Sequence, residues 1–221
     1  MKIVLASGSP RRIEMMKKHG YDPEIIPAEI DETLPEDIGM RDAVMYLALK
    51  KALWVEERLN SSLSPDSAAD SAPDSVHDSA ETSGQASAVT PSPIPALIIA
   101  ADTVVYKDGI LGKPVDRQDA ARMLELIRHT SHYVATGVAI INMQTGVKKV
   151  LCDVTEVFCK NYSKTEMNAY LNTKEPYDKA GAYGIQGIFG KYIDHYEGSF
   201  DTVVGFPWSI IEPELKAALS Q

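Results

Sequence analysis

The apolar run Ile3-Val4-Leu5-Ala6 stops at Ser7-Gly8-Ser9-Pro10-Arg11-Arg12, and that junction restricts this chain more than any other stretch. A buried strand ends, Gly8 turns the backbone, and a proline opens a helix. Pro10 suits the first helical position, where no backbone donor is required, and Ser9 is the expected N-cap. Free N–H groups at a helix start attract anions. Arg11 and Arg12 add two permanent positive forks that match phosphate oxygens. The stretch therefore reads as a phosphate cradle, with a capped surface helix carrying two solvated arginines as the competing reading. It is neither a Walker loop nor a dinucleotide fingerprint, because Gly-Lys-Ser/Thr and Gly-x-Gly-x-x-Gly are both missing.

Beyond it, strand and helix patterns alternate. Strands are expected at Ile3–Ala6, Ala96–Tyr106, Tyr133–Asn142 and Val147–Lys160, with a short extended piece at Glu24–Pro27 and short strands near Tyr192–His195 and Thr202–Val204. Helices are expected over 10–19, over 41–58 with Val44, Leu47, Ala48 and Lys51 at helical spacing, over 116–128 with Asp116 as cap, and from Pro207 to Leu219. Lys107-Asp108-Gly109 reads as a tight turn. Ser163-Lys164-Thr165-Glu166 is a capping-box pattern that starts a further helix. This mixed order implies an α/β fold around a mixed sheet.

Residues 60–95 differ from the rest. They are dominated by Ser, Ala, Asp and Pro, contain no Lys, Arg, Phe, Trp or Tyr, and repeat Asp-Ser at 66, 70, 74 and 78. That spacing would stack like charges on a helix, and Pro73 interrupts it. The segment has too little apolar surface to offset its ordering entropy, so it reads as a disordered insertion in a single domain spanning 1–221. It also holds five acids and no bases, more than half of the net charge of −9. The remainder is only mildly acidic. The balance argues against nucleic-acid binding but not against a nucleotide, which needs only a local basic patch. No apolar run is long enough to span a bilayer, and the start lacks the apolar stretch and cleavage site of a signal peptide, so the cytoplasm is the expected compartment. Cys152 and Cys159 lie in one strand pattern an odd number apart, on opposite faces, and are expected as reduced thiols.

Charged residues recur where apolar runs break. Glu32 follows Ile30-Asp31, and Asp102-Thr103 interrupts Ile98-Ile99-Ala100-Ala101 and Val104-Val105. An acid inside such a strand needs a partner or a metal, or else caps neighbouring amides. Lys113 sits in the rigid loop Gly112-Lys113-Pro114, either aimed at a ligand or simply solvated. The segment Glu175–Gly187 carries two acids, a lysine, three glycines, two tyrosines and Gln186. Its glycines permit close backbone approach, its acids suit a divalent cation, and Gln186 can both donate to and accept from a base edge.

With those motifs assembled, the chain resembles the Maf family of nucleoside triphosphate pyrophosphatases. Leu5–Arg12, Ala101–Val105, Gly112–Pro114 and 175–187 occur in the family's order, and His132, Thr136-Gly137 and Gly198-Ser199 through Pro207 extend the match. The resemblance implies an elongated mixed sheet flanked by helices, of the Maf and inosine-triphosphatase type, with a central cleft. It implies a hydrolase, a nucleotide diphosphatase that converts a nucleoside triphosphate to monophosphate and pyrophosphate. Asp102 would be the proton acceptor, with Glu32 and Asp102 holding Mg2+ or Mn2+. Ser7, Arg11, Arg12, Lys51, Thr103, Lys113, Lys179 and Gln186 would bind substrate. Arg11, Thr103 and Gln186 look like the branch acting on dTTP and UTP. A homodimer is also suggested. Other activities compatible with the family are cleavage of inosine or damaged nucleotides, and a nucleotide-binding role in septum formation. Three departures stand out: Arg128-His129 replaces a Ser-Gly pair, so His129 is expected in a left-handed conformation; Phe206 replaces a leucine; and the 60–95 insertion is unusual.

Overall fold

A computed structural model describes residues 1–62 and 95–220. The predicted insertion lies outside the described residues except at its margins, where Asn60 and Ser61 close a helix and Ala96 begins a strand. The elements in chain order are β1 (Lys2–Leu5), α1 (Pro10–Lys18), β2 (Glu24–Ile25), α2 (Met40–Ser61), β3 (Ala96–Tyr106), β4 (Ile110–Leu111), α3 (Arg117–Ile127), β5 (Ser131–Asn142), β6 (Lys148–Cys159), α4 (Lys164–Leu171), β7 (Ile193–Glu197), α5 (Phe200–Val204) and α6 (Trp208–Leu219). Three short 3₁₀ turns lie between α4 and β7.

The strands form one mixed sheet in the order β2-β1-β3-β5-β6-β7, with β4 paired to β3. β1 runs parallel to β2 and β3, whereas β3, β5, β6 and β7 pair antiparallel. Alternation along β3 assigns its faces. Ile98 and Ala100 pack with Ala48, Ala52 and Val55 of α2. Leu97, Ile99 and Ala101 pack with Met15 and Met16 of α1 and with Trp208 and Ile211 of α6. Because both faces are covered, β3 reads as a continuous apolar run rather than an alternating one. A third cluster, built by α3, α4 and the 3₁₀ turns, closes the far end of the sheet.

The junction of β1 and β3 creates the space for a site. β1 pairs with β3 only from Ala96 to Ile99, and β4 pairs with it only at Val105 and Tyr106. Between them, among the described residues, β3 has no strand neighbour on that edge, and the Ser7–Arg12 turn passes beside the gap.

Gly137 on β5 brings α2 close to the sheet. A Cβ there would lie 2.3 Å from the Val44 carbonyl oxygen and 2.7 Å from the Met45 nitrogen, both backbone atoms of α2. Gly137→Ala therefore displaces the helix that carries Lys51. We expect a loss of about 2–3 kcal/mol in urea unfolding, from overpacking, together with reduced turnover. Stability within 0.5 kcal/mol of wild type, roughly the scatter of neutral surface changes, would refute the close approach.

His132 is a second fold determinant. Its Nε2 lies 2.6 Å from the Tyr183 hydroxyl, and burial pushes its pKa down to about 3, with Lys107 adding to the effect. An unfolded histidine titrates near 6.5. Between those values the unfolded chain binds a proton that the native chain refuses. Stability must therefore fall as pH drops below 6.5, by at most about 1.4 kcal/mol per unit from this group. Urea midpoints at pH 7 and pH 5 in wild type and His132→Gln check this, the variant losing less on acidification.

Most predicted elements are present with ends shifted by one to three residues. Thr202–Val204 is different: these residues lie in α5 rather than in a strand. Thr202, Val203 and Val204 are β-branched and favour strands, but local closure wins. Gly205 adopts φ +99° and its N–H donates to the Asp201 and Thr202 carbonyls, ending a single helical turn. His129 adopts φ +57° as expected, and Phe206 is fully buried beside Trp208. Asp116 and Ser163 cap α3 and α4, the latter with both bonds of a capping box. Ser9 occupies the N-cap of α1, yet its hydroxyl makes no capping bond; its N–H donates to Ser7 Oγ instead. Cys159 is buried, Cys152 is half-buried, and both are free thiols.

Candidate active site

The gap beside β3 opens into a cleft of about 670 Å³. Ser7, Arg11, Arg12, Glu32, Lys51, Asp102, Thr103, Lys113 and Lys179 all line it, from six separate stretches of chain. Nine of the ten candidate residues named from sequence thus meet in one place. Gln186 is the exception. It is exposed and lies just beyond Ile185, the last cleft-lining residue of its loop.

Strand alternation sends Asp102 and Thr103 in opposite directions. Asp102 shares the α2 face. Lys51 lies on the stripe of Val44, Leu47, Ala48 and Val55, so it reaches the same spot, and its Nζ contacts Asp102 Oδ1 and Glu32 Oε1, both at 2.6 Å. Lys51 and Asp102 are nearly buried, at 12% and 11% side-chain exposure, while Glu32 is half-exposed. Burial raises the Asp102 carboxyl above the ordinary aspartate range, against the pull of Lys51 and Arg12. A carboxylate beside a metal is expected to be depressed; with Lys51 as its neighbour, desolvation outweighs attraction. Burial also pushes Glu32 upward, but Lys51, Lys113 and Arg12 reverse that, and Glu32 stays below its ordinary value.

Thr103 shares the opposite face and meets α1. Arg12 Nη2 donates to Thr103 Oγ1 at 3.1 Å, Nη1 donates to the Ala101 carbonyl at 2.7 Å and to Ser7 Oγ at 3.2 Å, and Nε donates to the Gly205 carbonyl at 2.9 Å. The Ala101 carbonyl belongs to the unpaired edge of β3, so Arg12 takes the place of the missing strand. Burial pulls the guanidinium below its ordinary value, with Asp102 opposing, yet an arginine remains charged. Four of its five N–H groups already have protein acceptors, so it meets a ligand mainly as a fixed charge rather than as a free fork. Arg11 donates from Nε to the Val204 carbonyl at 3.3 Å.

Lys113 is exposed on the loop after β4. Lys179 lies on the adjoining loop, whose Gly181 N–H donates to the Gly112 carbonyl at 3.0 Å, and its Nζ donates to Asp178 Oδ1 at 2.6 Å. Glu175, one of the acids of the rich 175–187 segment, turns away from the cleft. It accepts from the Ile188 and Phe189 N–H groups and from the Tyr170 hydroxyl, holding the 3₁₀ turns together. Sequence reasoning missed the supports of Thr103. Thr136 and Gly205 lay in recognised motifs, but nothing local marked them as contacts of Thr103 and Arg12.

Two carboxylates meeting at one ammonium are hard oxygen donors. Among the described residues, no group of three or more His, Cys, Asp or Glu could hold a metal by itself. That donor set suits a cation such as Mg2+ or Mn2+, which is commonly held by one or two carboxylates and completed by substrate phosphates and water.

The family described as Maf-like protein matches residues 2–218. A dTTP/UTP pyrophosphatase of Acetivibrio thermocellus is 37% identical over 216 residues, covering 98% of this chain and 94% of that protein. One from Desulfitobacterium hafniense is 36% identical, with 96% and 83% covered, and one from Bacillus anthracis is 37% identical, with 97% and 94% covered. Among solved structures, a HAM1 protein from Coxiella burnetii is similar across 100% of this chain and 98% of its own, at a TM-score of 0.47 and 13% identity.

Proposed function

Because this chain belongs to the Maf family, we propose that it hydrolyses dTTP and UTP to the nucleoside monophosphate and pyrophosphate. The observation that carries this reading is the convergence of Arg12, Lys51, Lys113 and Lys179 with Glu32 and Asp102 around one cleft. A triphosphate brings several negative charges, and phosphoryl transfer depends more on positioning and neutralising them than on covalent chemistry.

Asp102 is the base in this proposal. It accepts a proton from the water that attacks the α-phosphorus, while the bond from that phosphorus to the bridging oxygen breaks and pyrophosphate leaves. Lys51 at 2.6 Å from its Oδ1 keeps it oriented. Arg12 holds a fixed positive charge at the floor of the cleft. Lys113 and Lys179, from adjoining loops, stabilise the departing pyrophosphate. Glu32 and Asp102 would hold a divalent cation such as Mg2+ or Mn2+, which would supply charge neutralisation and make water more acidic. The exposed position of Gln186 suits contact with a base at the cleft mouth. The two cysteines are free thiols, in keeping with work in the cytoplasm.

A pyrophosphate-release assay tests this, using the purified chain with Mg2+ or Mn2+ and a panel of dTTP, UTP, ITP and modified pyrimidine nucleotides. Release from dTTP and UTP is expected, and chelation of the metal should stop it. If both nucleotides survive intact, the reading fails. Preference for ITP would reassign the substrate, and nucleotide binding without hydrolysis would favour a regulatory role.

A further inference from the structure

Gln186 stands on a loop that its own sequence leaves loose. Gly184 and Gly187 bracket Ile185 and Gln186, and glycine restricts the backbone least of all residues. The restraint comes from Glu175. Its Oε2 accepts from the Ile188 N–H at 2.8 Å, and its Oε1 accepts from the Phe189 N–H at 3.3 Å. These are the first two N–H groups of the 3₁₀ turn Ile188–Tyr192, which have no partner inside the turn, so the carboxylate caps it from across the loop. Gly187 sits directly on that carboxylate. A Cβ there would lie 2.3 Å from Glu175 Oε1 and 2.5 Å from Oε2. With φ at −100°, Gly187 makes no use of glycine's left-handed freedom. Its missing side chain serves the close approach instead.

The backbone of Glu175 faces the phosphate-binding side. Its carbonyl accepts from Lys179 Nζ at 3.3 Å, and the Lys179 stem lies against Gly184, where a Cβ would be 3.0 Å from Cδ and Cε. Glu175 thus ties Lys179, which lines the cleft, to the segment that carries Gln186, without lining the cleft itself.

We infer that Glu175 is a positioning residue for Gln186, one that sets base preference without touching the substrate. This rests on Gln186 meeting the base at the cleft mouth. An amide on a wandering loop must be ordered when the nucleotide binds, and that cost cancels much of the hydrogen bond it makes; an amide already held keeps it.

The experiment measures kcat/KM for UTP and CTP in wild type, Gln186→Ala, Glu175→Gln, the double variant and Gly187→Ala. Uracil and cytosine differ in the edge an amide reads, because an amine donor replaces a carbonyl acceptor. Gln186→Ala is expected to lower the UTP-to-CTP ratio about tenfold, the scale of one hydrogen bond. Glu175→Gln turns an amide N–H₂ toward a backbone donor and should lower the ratio similarly. The double variant should go no further than Gln186→Ala, because both act through one contact. Gly187→Ala keeps Glu175 but pushes its carboxylate out of place, so it should reproduce the shift even where Glu175→Gln fails to fold. A shift in Gln186→Ala with none in Glu175→Gln or Gly187→Ala overturns the positioning role. An equal loss for UTP and CTP in those two variants also overturns it, since general loosening would give that. An unshifted ratio in Gln186→Ala removes the base contact and the inference with it.

Amide hydrogen exchange without nucleotide tests the anchor whatever the substrate proves to be. The Ile188 and Phe189 N–H groups should exchange at least about tenfold more slowly in wild type than in Glu175→Gln or Gly187→Ala. Equal rates overturn the anchor. Slow exchange that the variants lose upholds it even where dTTP and UTP survive intact, a result that would sink only the hydrolase reading.

Discussion

Asp102→Asn lowers turnover of dTTP and UTP about 10³-fold while the protein still folds, in line with the 10²–10⁴ range for loss of a general base. Asparagine has nearly the shape of aspartate, and its carbonyl oxygen can still accept from Lys51, so the contact at 2.6 Å need not be lost. What disappears is the ability to take a proton. Lys51 also keeps Glu32, so its charge is not left unpaired. Steady-state kcat and a thermal melt are measured together. Undiminished turnover with an unchanged melt would move the base elsewhere, and a collapsed melt would mean that the buried carboxylate is required for the fold.

Lys51→Met is the second large effect, with opposite signs in two readouts. Lys51 is the only cation within 4.0 Å of Glu32 and Asp102 among the described residues. Removing it leaves two carboxylates facing each other, one of them nearly buried. Breaking a buried pair in this way is strongly unfavourable, about 3 kcal/mol or more, although the half-exposed Glu32 softens that figure. Turnover should drop about 10²-fold, as expected when a stabilising charge is removed. Binding of Mn2+ in the absence of nucleotide should nevertheless tighten, because an ammonium no longer competes for the same oxygens. Titration calorimetry with Mn2+ alone reads the second effect. Weaker Mn2+ binding in the variant would show that Lys51 supports the cation rather than standing in its place.

The legibility of the site followed the range of the interactions involved. Residues 44, 47, 48 and 51 share one stripe of α2, but the role of Lys51 came only from the family resemblance. Asp102 was visible because an acid interrupts a continuous apolar strand. Thr103 interrupts the same strand, and its substrate role came only from the family resemblance. Gln186 was chosen for its chemistry, yet the loop leaves it exposed beyond the cleft lining. Thr202–Val204 was misread because β-branched residues favour strands, while the left-handed Gly205 and the bonds to Asp201 and Thr202 form a helical turn.

Strand and helix positions, the N-terminal strand-to-helix turn and the inventory of charged groups were determined by the sequence itself. Those properties depend on periodicity, proline and glycine chemistry, and caps, all of which act within a few residues. The tertiary structure decided where β1 stops beside β3, that Gly137 lets α2 carry Lys51 down to Asp102, and that Arg12 meets Thr103. Each of these is a contact between residues dozens of positions apart. Its geometry depends on how the sheet pairs and how closely the helices approach, and no local pattern encodes that.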